Sequence, residues 1–588
     1  MSVNTHSSQS GSRRRLQRSL IAAAVSAFAG AAFADADATA AAPQETVTEE
    51  LIRMLAAHNA LSADDAAKLL NRLQAQKAAP AAPTAAAAAP AAPVDATAAN
   101  PADKGKVRVI YVPESEKQKI RDEVKAEVIA QAKAENWAQP NAIPEWTKHI
   151  TIEGDLRYRQ EGDFYDQSND PNQINFQAIN SGAPVNVNFA STTPVVLPYL
   201  NTQSDRQLPR FRARLGLVAQ ISEDLTTSFR FNSGNNTNPV STDQTLGTDF
   251  NKTTFVIDRA YFDYHPSKNL SVWAGRAPNP FESTDLLFDR DLNFDGVSTQ
   301  LRHSFADNLR GRLTLGAFSI ENTAYDFPST SSQKGSGRDK WLFSAQLGLD
   351  WKLQPGMTVS GSVAYHDYYE LDGKARPCDP NPLSASIACS ADDGRPGFIQ
   401  KGNTLFALRQ LTPAQPTDPQ FQYFGLASPF RILDTLVTLD RTIDGPVHAR
   451  IDLDYVRNLG YHRKAVVDKG PVNNFGGCAT SDPSCTASFA GGGNAFMVQA
   501  RFGYGETVAR WQWNAFGGYK RLDSDAVVDA FTDSDFHYGG TNAKGYFIGG
   551  NLGLAHNTWF TARYLSASEV SGPPLSIDVL QFDLNARF

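Results

Sequence analysis

The segment from Ile577 to Phe588 reads I-D-V-L-Q-F-D-L-N-A-R-F. Successive side chains of a β-strand point to opposite faces of the sheet, so this segment would have one apolar and one polar face. The apolar face carries Leu580, Phe582, Leu584, Ala586 and Phe588, and the polar face carries Gln581, Asp583, Asn585 and Arg587. In a membrane β-barrel these faces would contact lipid and an aqueous lumen. The pattern favours an all-β membrane protein over a soluble β-sandwich, which could also contain such a strand.

The chain upstream of this segment has the same texture back to His149. Sixteen strand-like segments are expected, although one of them, 254–265, alternates poorly and the count could lie between fourteen and eighteen. The connections between them alternate strictly between short turns, such as Tyr504 to Glu506, and long loops, such as 278–294. Short periplasmic turns and long extracellular loops are typical of bacterial outer-membrane barrels. The sequence therefore predicts an antiparallel transmembrane barrel over 146–588. The expected segments are 149–160, 208–221, 224–233, 254–265, 270–277, 295–304, 308–320, 340–352, 357–369, 430–440, 446–459, 494–503, 507–521, 544–555, 558–567 and 576–588.

Composition agrees with a barrel and limits the partners. Only 41% of the 588 residues are hydrophobic, as expected when alternate residues alone face lipid. Beyond the N-terminus no run of about 18 apolar residues indicates a transmembrane helix. With 62 acidic and 55 basic residues the net charge is −7, which disfavours a nucleic-acid partner.

The N-terminus has the features of an export signal. A basic cluster precedes the apolar stretch Leu20 to Phe33, and Ala32-Phe33-Ala34 fits a cleavage site. A membrane anchor is the alternative, but the apolar stretch is short for one. We predict a signal peptide over 1–34 and location in the outer membrane of a Gram-negative bacterium. The basic residues are Arg13, Arg14, Arg15 and Arg18.

Residues 35–145 are expected to form a small periplasmic helical segment. A capping box at 46–49 and a cap at Ser62 predict a short helical hairpin over 35–77. Residues 78–105 are rich in Ala and Pro and read as a semi-rigid linker. A helix is predicted within 106–145, where Ile120, Val124 and Val128 form a stripe that suits a short coiled coil or a face resting on the barrel. This segment could reach peptidoglycan or another periplasmic partner.

Four cysteines occur as two close pairs, Cys378 with Cys389 and Cys478 with Cys485. Export implies oxidising conditions, so two local disulfides in long loops are expected. Metal binding is the alternative, but neither pair has C-x-x-C spacing and no histidine lies close by in sequence. We predict no metal and no cofactor.

Charged residues suggest what the lumen would contain, since a sixteen-stranded barrel leaves an aqueous channel. Arginine on the lipid face would cost about 2–4 kcal/mol near the midplane, so arginines on the polar parity should face the lumen or lie at a rim. The third long loop, 278–294, is rich in carboxylates and could fold inward to oppose the arginines and constrict the pore. An ordinary surface loop and a surface calcium site are the alternatives, although the spacing does not match an EF-hand. The candidate pore-lining residues are Arg157, Arg159, Arg210, Arg212, Arg214, Arg310, Arg312, Glu282, Asp285, Asp289 and Asp291.

An enzyme is not predicted. The ten histidines are scattered and no G-x-S-x-G motif is present. His366-Asp367, and His537 near Asp533 and Asp535, read as wall or loop residues rather than as catalytic pairs. A plugged transporter is not predicted either, because it would need about 22 strands and a folded plug.

Five stretches of the first half resemble the "putative porin" family of Gram-negative outer membranes. The resemblance covers about 105–300, implies an outer-membrane channel, and gives neither a substrate nor residue roles. We expect passive diffusion of ions and small hydrophilic solutes; an envelope protein tethered through the N-terminal helices and a narrow substrate-specific channel are the alternatives. A homotrimer in outer-membrane lipid is expected only by analogy of fold. The stretches are R-V-I-Y-V-P-E-S-E-K-Q-K-I-R-D-E-V-K-A-E-V (108–128), W-T-K-H-I-T-I-E-G-D-L-R-Y-R (146–159), P-V-S-T-D-Q-T-L-G (239–247), D-R-A-Y-F-D-Y (258–264) and G-R-A-P-N-P-F-E-S-T-D-L-L-F-D-R-D-L-N-F-D-G (275–296).

Overall fold

The computed structural model describes residues 119, 121–124, 145–329, 332–335, 337–378, 388–476 and 488–588. The predicted signal peptide, helical hairpin and linker, most of the helix within 106–145, and Cys478 and Cys485 lie outside these residues. Lys119 and residues 121–124 are helical. No helix in this described part is long and apolar enough to cross a membrane.

Sixteen long antiparallel strands form one closed barrel, which confirms the predicted fold class and strand number. Each predicted segment coincides with one strand, with bounds that differ by a few residues. In chain order the strands are β1 (Ile150–Tyr165), β2 (Arg206–Gln220), β3 (Leu225–Ser233), β4 (Phe255–Ser267), β5 (Leu270–Pro278), β6 (Asn293–Ala306), β7 (Leu309–Glu321), β8 (Lys340–Gln354), β9 (Met357–Tyr369), β10 (Phe430–Asp444), β11 (Val447–Asn458), β12 (Asn494–Tyr504), β13 (Trp513–Leu522), β14 (Ala543–Ala555), β15 (Thr558–Glu569) and β16 (Ser576–Arg587).

The barrel closes between its first and last strands. Strand β1 pairs antiparallel with β16, from Asp155 opposite Arg587 to Tyr165 opposite Ile577. The Gly154 amide donates to the Phe588 carbonyl at 3.1 Å, and the Phe588 amide donates back at 3.0 Å. The C-terminal segment, 577–588, therefore removes both sheet edges by pairing with β1.

The alternation of side chains sorts the barrel wall as expected. On β16, Gln581 and Asp583 point inward and are buried, whereas Leu584 points outward and is 49% exposed. On β8, Gln346 is 5% exposed and Leu347 is 65% exposed. An outward apolar face of this kind requires a nonpolar environment, which a lipid bilayer supplies.

Strand β4 shows why one segment alternates poorly. The register between β3 and β4 shifts because Arg230 pairs with Arg259 and Phe231 pairs with Ile257, which leaves Asp258 without a partner in the ladder. An extra residue in one strand is a β-bulge, and it reverses the parity of the residues that follow.

The predicted turn at Tyr504 to Glu506 is wrong. The connection runs from 505 to 512, and the next strand begins at Trp513 instead of residue 507. The Gln512 side chain accepts hydrogen bonds from the amides of Val508 and Ala509, both at 2.9 Å. Trp511 has a φ of 69°. These local features stop the strand ladder, and apolar residues alone do not reveal them.

The seven short turns lie at one end of the barrel, the short-turn end, and the long loops lie at the other, the long-loop end. Cys378 and Cys389 form a disulfide within the loop 370–429, with Cα atoms 5.7 Å apart. The long-loop end and the entry to β1 contain small elements. These are Glu145–His149, Phe176–Ser181, Val185–Asn186, Gln244–Thr245, Arg376–Cys378, Asp392–Gly394, Leu405–Ala407, Arg409–Leu411, Phe421–Gln422, Phe424–Leu426, Arg463–Asp468, Phe475–Gly476, Ser488–Phe489, Asp529–Phe531 and Phe536–Tyr538.

An apolar core lies inside the long-loop half of the barrel. The long loops contribute residues such as Leu286, Phe406 and Val527, and the inward faces of the strand ends contribute residues such as Ile432 and Leu522. All of these side chains are at most 2% exposed. The loops are therefore folded into the barrel, and this core decides which part of the lumen remains open.

Candidate functional site

Loop 3, residues 279–292, is folded so that its apolar and its acidic side chains lie in different environments. Its five large apolar side chains belong to the core and are at most 6% exposed. Burying such a side chain contributes about 1.5–3 kcal/mol. Asp285, Asp289 and Asp291 line a separate charged cavity. The apolar residues are Phe281, Leu286, Leu287, Phe288 and Leu292.

The start of loop 3 is attached to the barrel wall. The Gln346 side chain accepts from the Glu282 amide at 2.9 Å and donates to the Glu282 carbonyl at 2.7 Å. Arg312 forms an ion pair with Glu282 at 2.5 Å and another with Asp350 at 3.1 Å. The Thr284 hydroxyl donates to Asp454. Backbone and side-chain bonds together thus fix where the loop enters the lumen.

The end of loop 3 is attached to loop 7, residues 523–542, which is also folded inward. The Asp289 amide donates to the Phe531 carbonyl at 2.8 Å, and the Ser534 amide donates to the Asp289 carboxylate at 3.0 Å. The Thr532 hydroxyl donates to the Leu286 carbonyl at 3.1 Å. The two loops therefore hold each other inside the barrel.

Strands β1 and β2 place two rows of arginine side by side. In their register Arg157 lies opposite Arg212, and Arg159 lies opposite Arg210. Like charges at this distance repel unless carboxylates lie between them. Four carboxylates do so, of which two are on β1 itself and two come from loops. Asp155 pairs with Arg212 at 2.9 Å and Arg214 at 2.6 Å, Asp291 pairs with Arg214 at 3.1 Å, Asp243 pairs with Arg157 at 2.5 Å, and Glu161 pairs with Arg210 at 3.0 Å.

Arg159 lies at the centre of this network and is 3% exposed. It forms ion pairs with Asp583 of β16 at 2.8 Å and with Asp535 of loop 7 at 3.1 Å. Asp535 also pairs with Arg563 of β15 at 3.1 Å. Strands β1 and β15, which flank β16 in the wall, are thus joined on their lumen side through loop 7.

Two acidic residues of loop 3 have different proton affinities. Burial alone would raise the pKa of Asp291, but Arg212 and Arg214 lower it to about 2. Burial, with the neighbouring carboxylates of Asp291 and Asp533, raises the pKa of Asp289 well above its usual range. Two aspartates of one loop, two positions apart, therefore gain their negative charge at different pH, Asp291 below Asp289.

The charged cavity has a volume of about 470 Å³. It extends to Trp559 and Asn585, which lie close to the short-turn end. Seven of the predicted pore residues line it, and the other four do not. Arg210 pairs with Glu161 nearer the long-loop end, Arg312 and Glu282 pair at a different part of the wall, and Arg310 is exposed next to the start of β7. The seven are Arg157, Arg159, Arg212, Arg214, Asp285, Asp289 and Asp291.

A second cavity, the vestibule, lies on the apolar side of loop 3 and has a volume of about 670 Å³. Phe288 and Leu292 of loop 3 form part of its wall, and the exposed Asn235 and Asn236 lie at its outer edge. Ser241 lines both the vestibule and the charged cavity. The two cavities therefore adjoin at this residue.

Several residues of the charged network were not among the predicted ones. Asp583 is on the polar parity of the last strand, so its inward direction could have been read from the sequence. Asp243 lies within the stretch 239–247, and in the sequence Asp535 has the features of an ordinary loop residue. Loop residues have no periodicity, so no sequence signal indicated that these two would meet Arg159 or Arg157.

His366 and His537 are held by packing and by polar contacts inside the barrel. His366 is buried, its Nδ1 lies 2.8 Å from the Ser344 hydroxyl, and its ring packs edge-on against Phe281 and Phe288. His537 of loop 7 contacts Lys401 and the Leu575 carbonyl, both at 2.8 Å. Among the residues that the structure describes, no group of three or more His, Cys, Asp or Glu is arranged to hold a metal ion.

Comparison with known proteins places this geometry in context. A family model described as "Putative porin" matches residues 45–588. Solved structures similar to the chain include OprB of Pseudomonas putida at high pH (10% identity, 75% of this chain and 95% of that chain, TM-score 0.40) and the outer membrane channel DcaP of Acinetobacter baumannii (10%, 75% and 97%, 0.36). OmpF of Salmonella typhi in complex with daunomycin is also similar (10%, 75% and 97%, 0.35). No curated protein sequence matches the chain.

Proposed function

The chain belongs to the "putative porin" family, and from this premise we propose that its barrel is a narrow, charge-lined channel through which ions and small hydrophilic solutes diffuse passively. The family places the barrel in the outer membrane and favours a channel over an enzyme. The short-turn end then faces the periplasm and the long-loop end faces the outside.

The observation that carries the proposal is the charged cavity beside loop 3. It combines basic side chains of the wall with acidic side chains of loops 3 and 7, and it reaches the short-turn end. Charged side chains that line a narrow water-filled passage select ions through their field. A cavity of about 470 Å³ within a sixteen-stranded barrel indicates a passage much narrower than the barrel itself.

Loop 3 would set the ion preference of this passage. Asp285 lines the cavity and pairs with Arg290 at 3.0 Å, and the side chain of Asp285 remains 25% exposed. Removing its charge would shift the balance of the field toward positive. We propose in the same way that the predicted pore residues, including the arginine rows, line the conducting passage.

Single-channel recording in a planar bilayer with a KCl gradient tests the proposal. We expect discrete conductance steps with a measurable ion preference, and a shift toward anions in Asp285→Asn. Asp468→Asn serves as the matched control, because its side chain is 59% exposed on loop 459–493. Folded, inserted protein that gives no steps would overturn the channel function.

Two further roles stay predictions. The helices and linker predicted over 35–145 would tether the outer membrane to peptidoglycan or a periplasmic partner, and deletion of 35–105 should then weaken the envelope without changing conductance. Intact envelopes after this deletion would count against a tether. Assembly as a homotrimer is checked by the mass of the detergent-solubilised protein.

A further inference from the structure

The two cavities on either side of loop 3 have opposite character. A solute that enters from the long-loop end meets the vestibule first and the charged cavity after it, with Ser241 at the junction. Strand residues Phe294 and Phe318 and loop residues Phe398 and Phe531 line the vestibule. A concave, mostly apolar surface with a few polar groups is typical of a site that binds small organic molecules.

The carboxylates on the vestibule are already neutralised. Asp258 pairs with Arg230, Asp295 pairs with Arg276 at 2.7 Å, and Glu321 pairs with Lys340 at 2.6 Å. Because each of these acidic groups has a basic partner, the described residues of the vestibule offer no free negative charge that would attract a cation.

The boundary between the cavities contains an unpaired guanidinium group. The Asn293 side chain, which lines the vestibule, donates to Asp258 at 2.8 Å and accepts from Arg259 Nε at 2.8 Å. Arg259 lines the charged cavity and forms no ion pair with any carboxylate in the described part of the chain. Asp258 is held by Arg230, so Arg259 keeps its charge available for a ligand.

A second unpaired guanidinium lies further along the charged cavity. Arg501 of β12 forms neither a hydrogen bond nor an ion pair with the described residues, and its guanidinium carbon lies 5.9 Å from the centre of the Phe516 ring. Among the carboxylates on this lining, only Asp289 has no basic partner within the described part of the chain. Its proton affinity is raised, so the unpaired groups of the cavity have a net positive charge.

We propose that the preferred solutes are small organic anions with an apolar body, such as aromatic monocarboxylates. The apolar body occupies the vestibule, the carboxylate pairs with Arg259, and Arg501 is the next station toward the periplasm. This inference rests on the proposed channel function and names its solute class.

Reversal potentials in planar bilayers test the solute class, with sodium benzoate, sodium gluconate and sodium chloride as probes. We expect the full-length protein to pass benzoate about tenfold more readily than gluconate, because gluconate has the charge but lacks the apolar body. Benzylammonium, which has the same ring with a positive charge, should permeate less readily than benzoate.

Two pairs of variants locate the selectivity. Arg259→Gln should lower the benzoate to benzylammonium permeability ratio about tenfold, whereas Arg431→Gln, at a side chain 61% exposed, should leave it unchanged. Phe398→Ser should lower the benzoate to gluconate permeability ratio about fivefold, and Phe189→Ser, at a ring 82% exposed, should not. If the Arg259→Gln protein fails to insert, Phe398→Ser still tests whether the vestibule sets the preference for benzoate.

The outcomes separate the inference from the channel function. Chloride conduction with equal permeability to benzoate and gluconate would overturn the solute class and leave the channel intact. A preference for benzoate over gluconate that survives Phe398→Ser, or a preference for benzoate over benzylammonium that survives Arg259→Gln, would also overturn it. An inserted barrel that conducts none of the three anions would overturn the channel itself.

Discussion

The vestibule and the charged cavity lie on opposite sides of the same loop, but different forces hold their walls. On the vestibule side, Leu286 and Leu287 are at most 1% exposed, and burial of such side chains stabilises the fold directly. On the cavity side, Arg159 and Asp583 are equally hidden, but the cost of removing their charges from water offsets much of their attraction. The comparison indicates that the apolar face supplies most of the stability that keeps the charged face in position.

The largest effect is expected where a buried charge loses its partner. Arg159→Met would leave Asp583 and Asp535 without their shared guanidinium, so we expect the free energy of unfolding to fall by about 3–5 kcal/mol. Urea-dependent unfolding in phospholipid vesicles measures this change. Arg159→Lys keeps one charge but loses the bidentate contact, so its free energy of unfolding should lie between those of the wild type and Arg159→Met. A loss below about 1 kcal/mol would mean that the charged network behaves like a surface one.

A cavity in the apolar face should have a comparable or smaller effect on stability and a clearer effect on the pore. Leu287→Ala should lower the free energy of unfolding by about 2–5 kcal/mol and increase conductance, because loop 3 would be held less firmly. Leu347→Ala removes the same group from the lipid-facing side and provides the control. Unchanged conductance in a destabilised Leu287→Ala variant would mean that the apolar core does not control the width of the passage.

The raised proton affinity of Asp289 predicts a pH effect with a definite sign. Asp289 is neutral below its raised pKa and gains a negative charge as the pH rises through it. The cation to anion permeability ratio should therefore rise with pH above the usual carboxyl pKa of about 4, by about twofold. Asp289→Asn should remove this rise and Asp468→Asn should keep it. A ratio that falls with pH in the wild type would contradict the assignment.

The smallest effect is expected at the open edge of the vestibule. Arg276 and Asp295 form an ion pair whose side chains are 34% and 51% exposed. Asp295→Asn should change the free energy of unfolding by less than about 1 kcal/mol and leave the conductance in KCl unaltered. A loss as large as that of Arg159→Met would remove the distinction between exposed and buried pairs.

The sequence is informative about the wall because one physical rule governs every strand. Lipid outside and water inside impose a period of two, which located all sixteen strands and the inward direction of Arg157 and Arg212. The rule fails where the ladder is interrupted, as at the bulge of Asp258 and at the turn before Trp513. Both interruptions depend on single backbone conformations that the alternation of residue types does not encode.

The contents of the lumen were less accessible to prediction. The acidic composition of loop 3 suggests that it could fold inward, but the burial of its apolar residues holds it there, and composition does not show where those residues pack. Asp243 and Asp535 approach the arginine rows from loops 2 and 7 (234–254 and 523–542), and such long-range contacts have no local signature. Only the folded chain shows that the Thr532 hydroxyl donates to the Leu286 carbonyl.

The central claim is that solutes pass the junction of the two cavities beside loop 3. It is tested most directly by Ser241→Cys, because Ser241 lines both cavities, with single-channel current recorded before and after a thiol-reactive sulfonate reagent is added. Modification should block most of the current, whereas Ser181→Cys, at an exposed position on loop 166–205, and the unmodified wild type should conduct as before. Undiminished current after complete modification of Ser241→Cys would place the passage elsewhere and contradict the account.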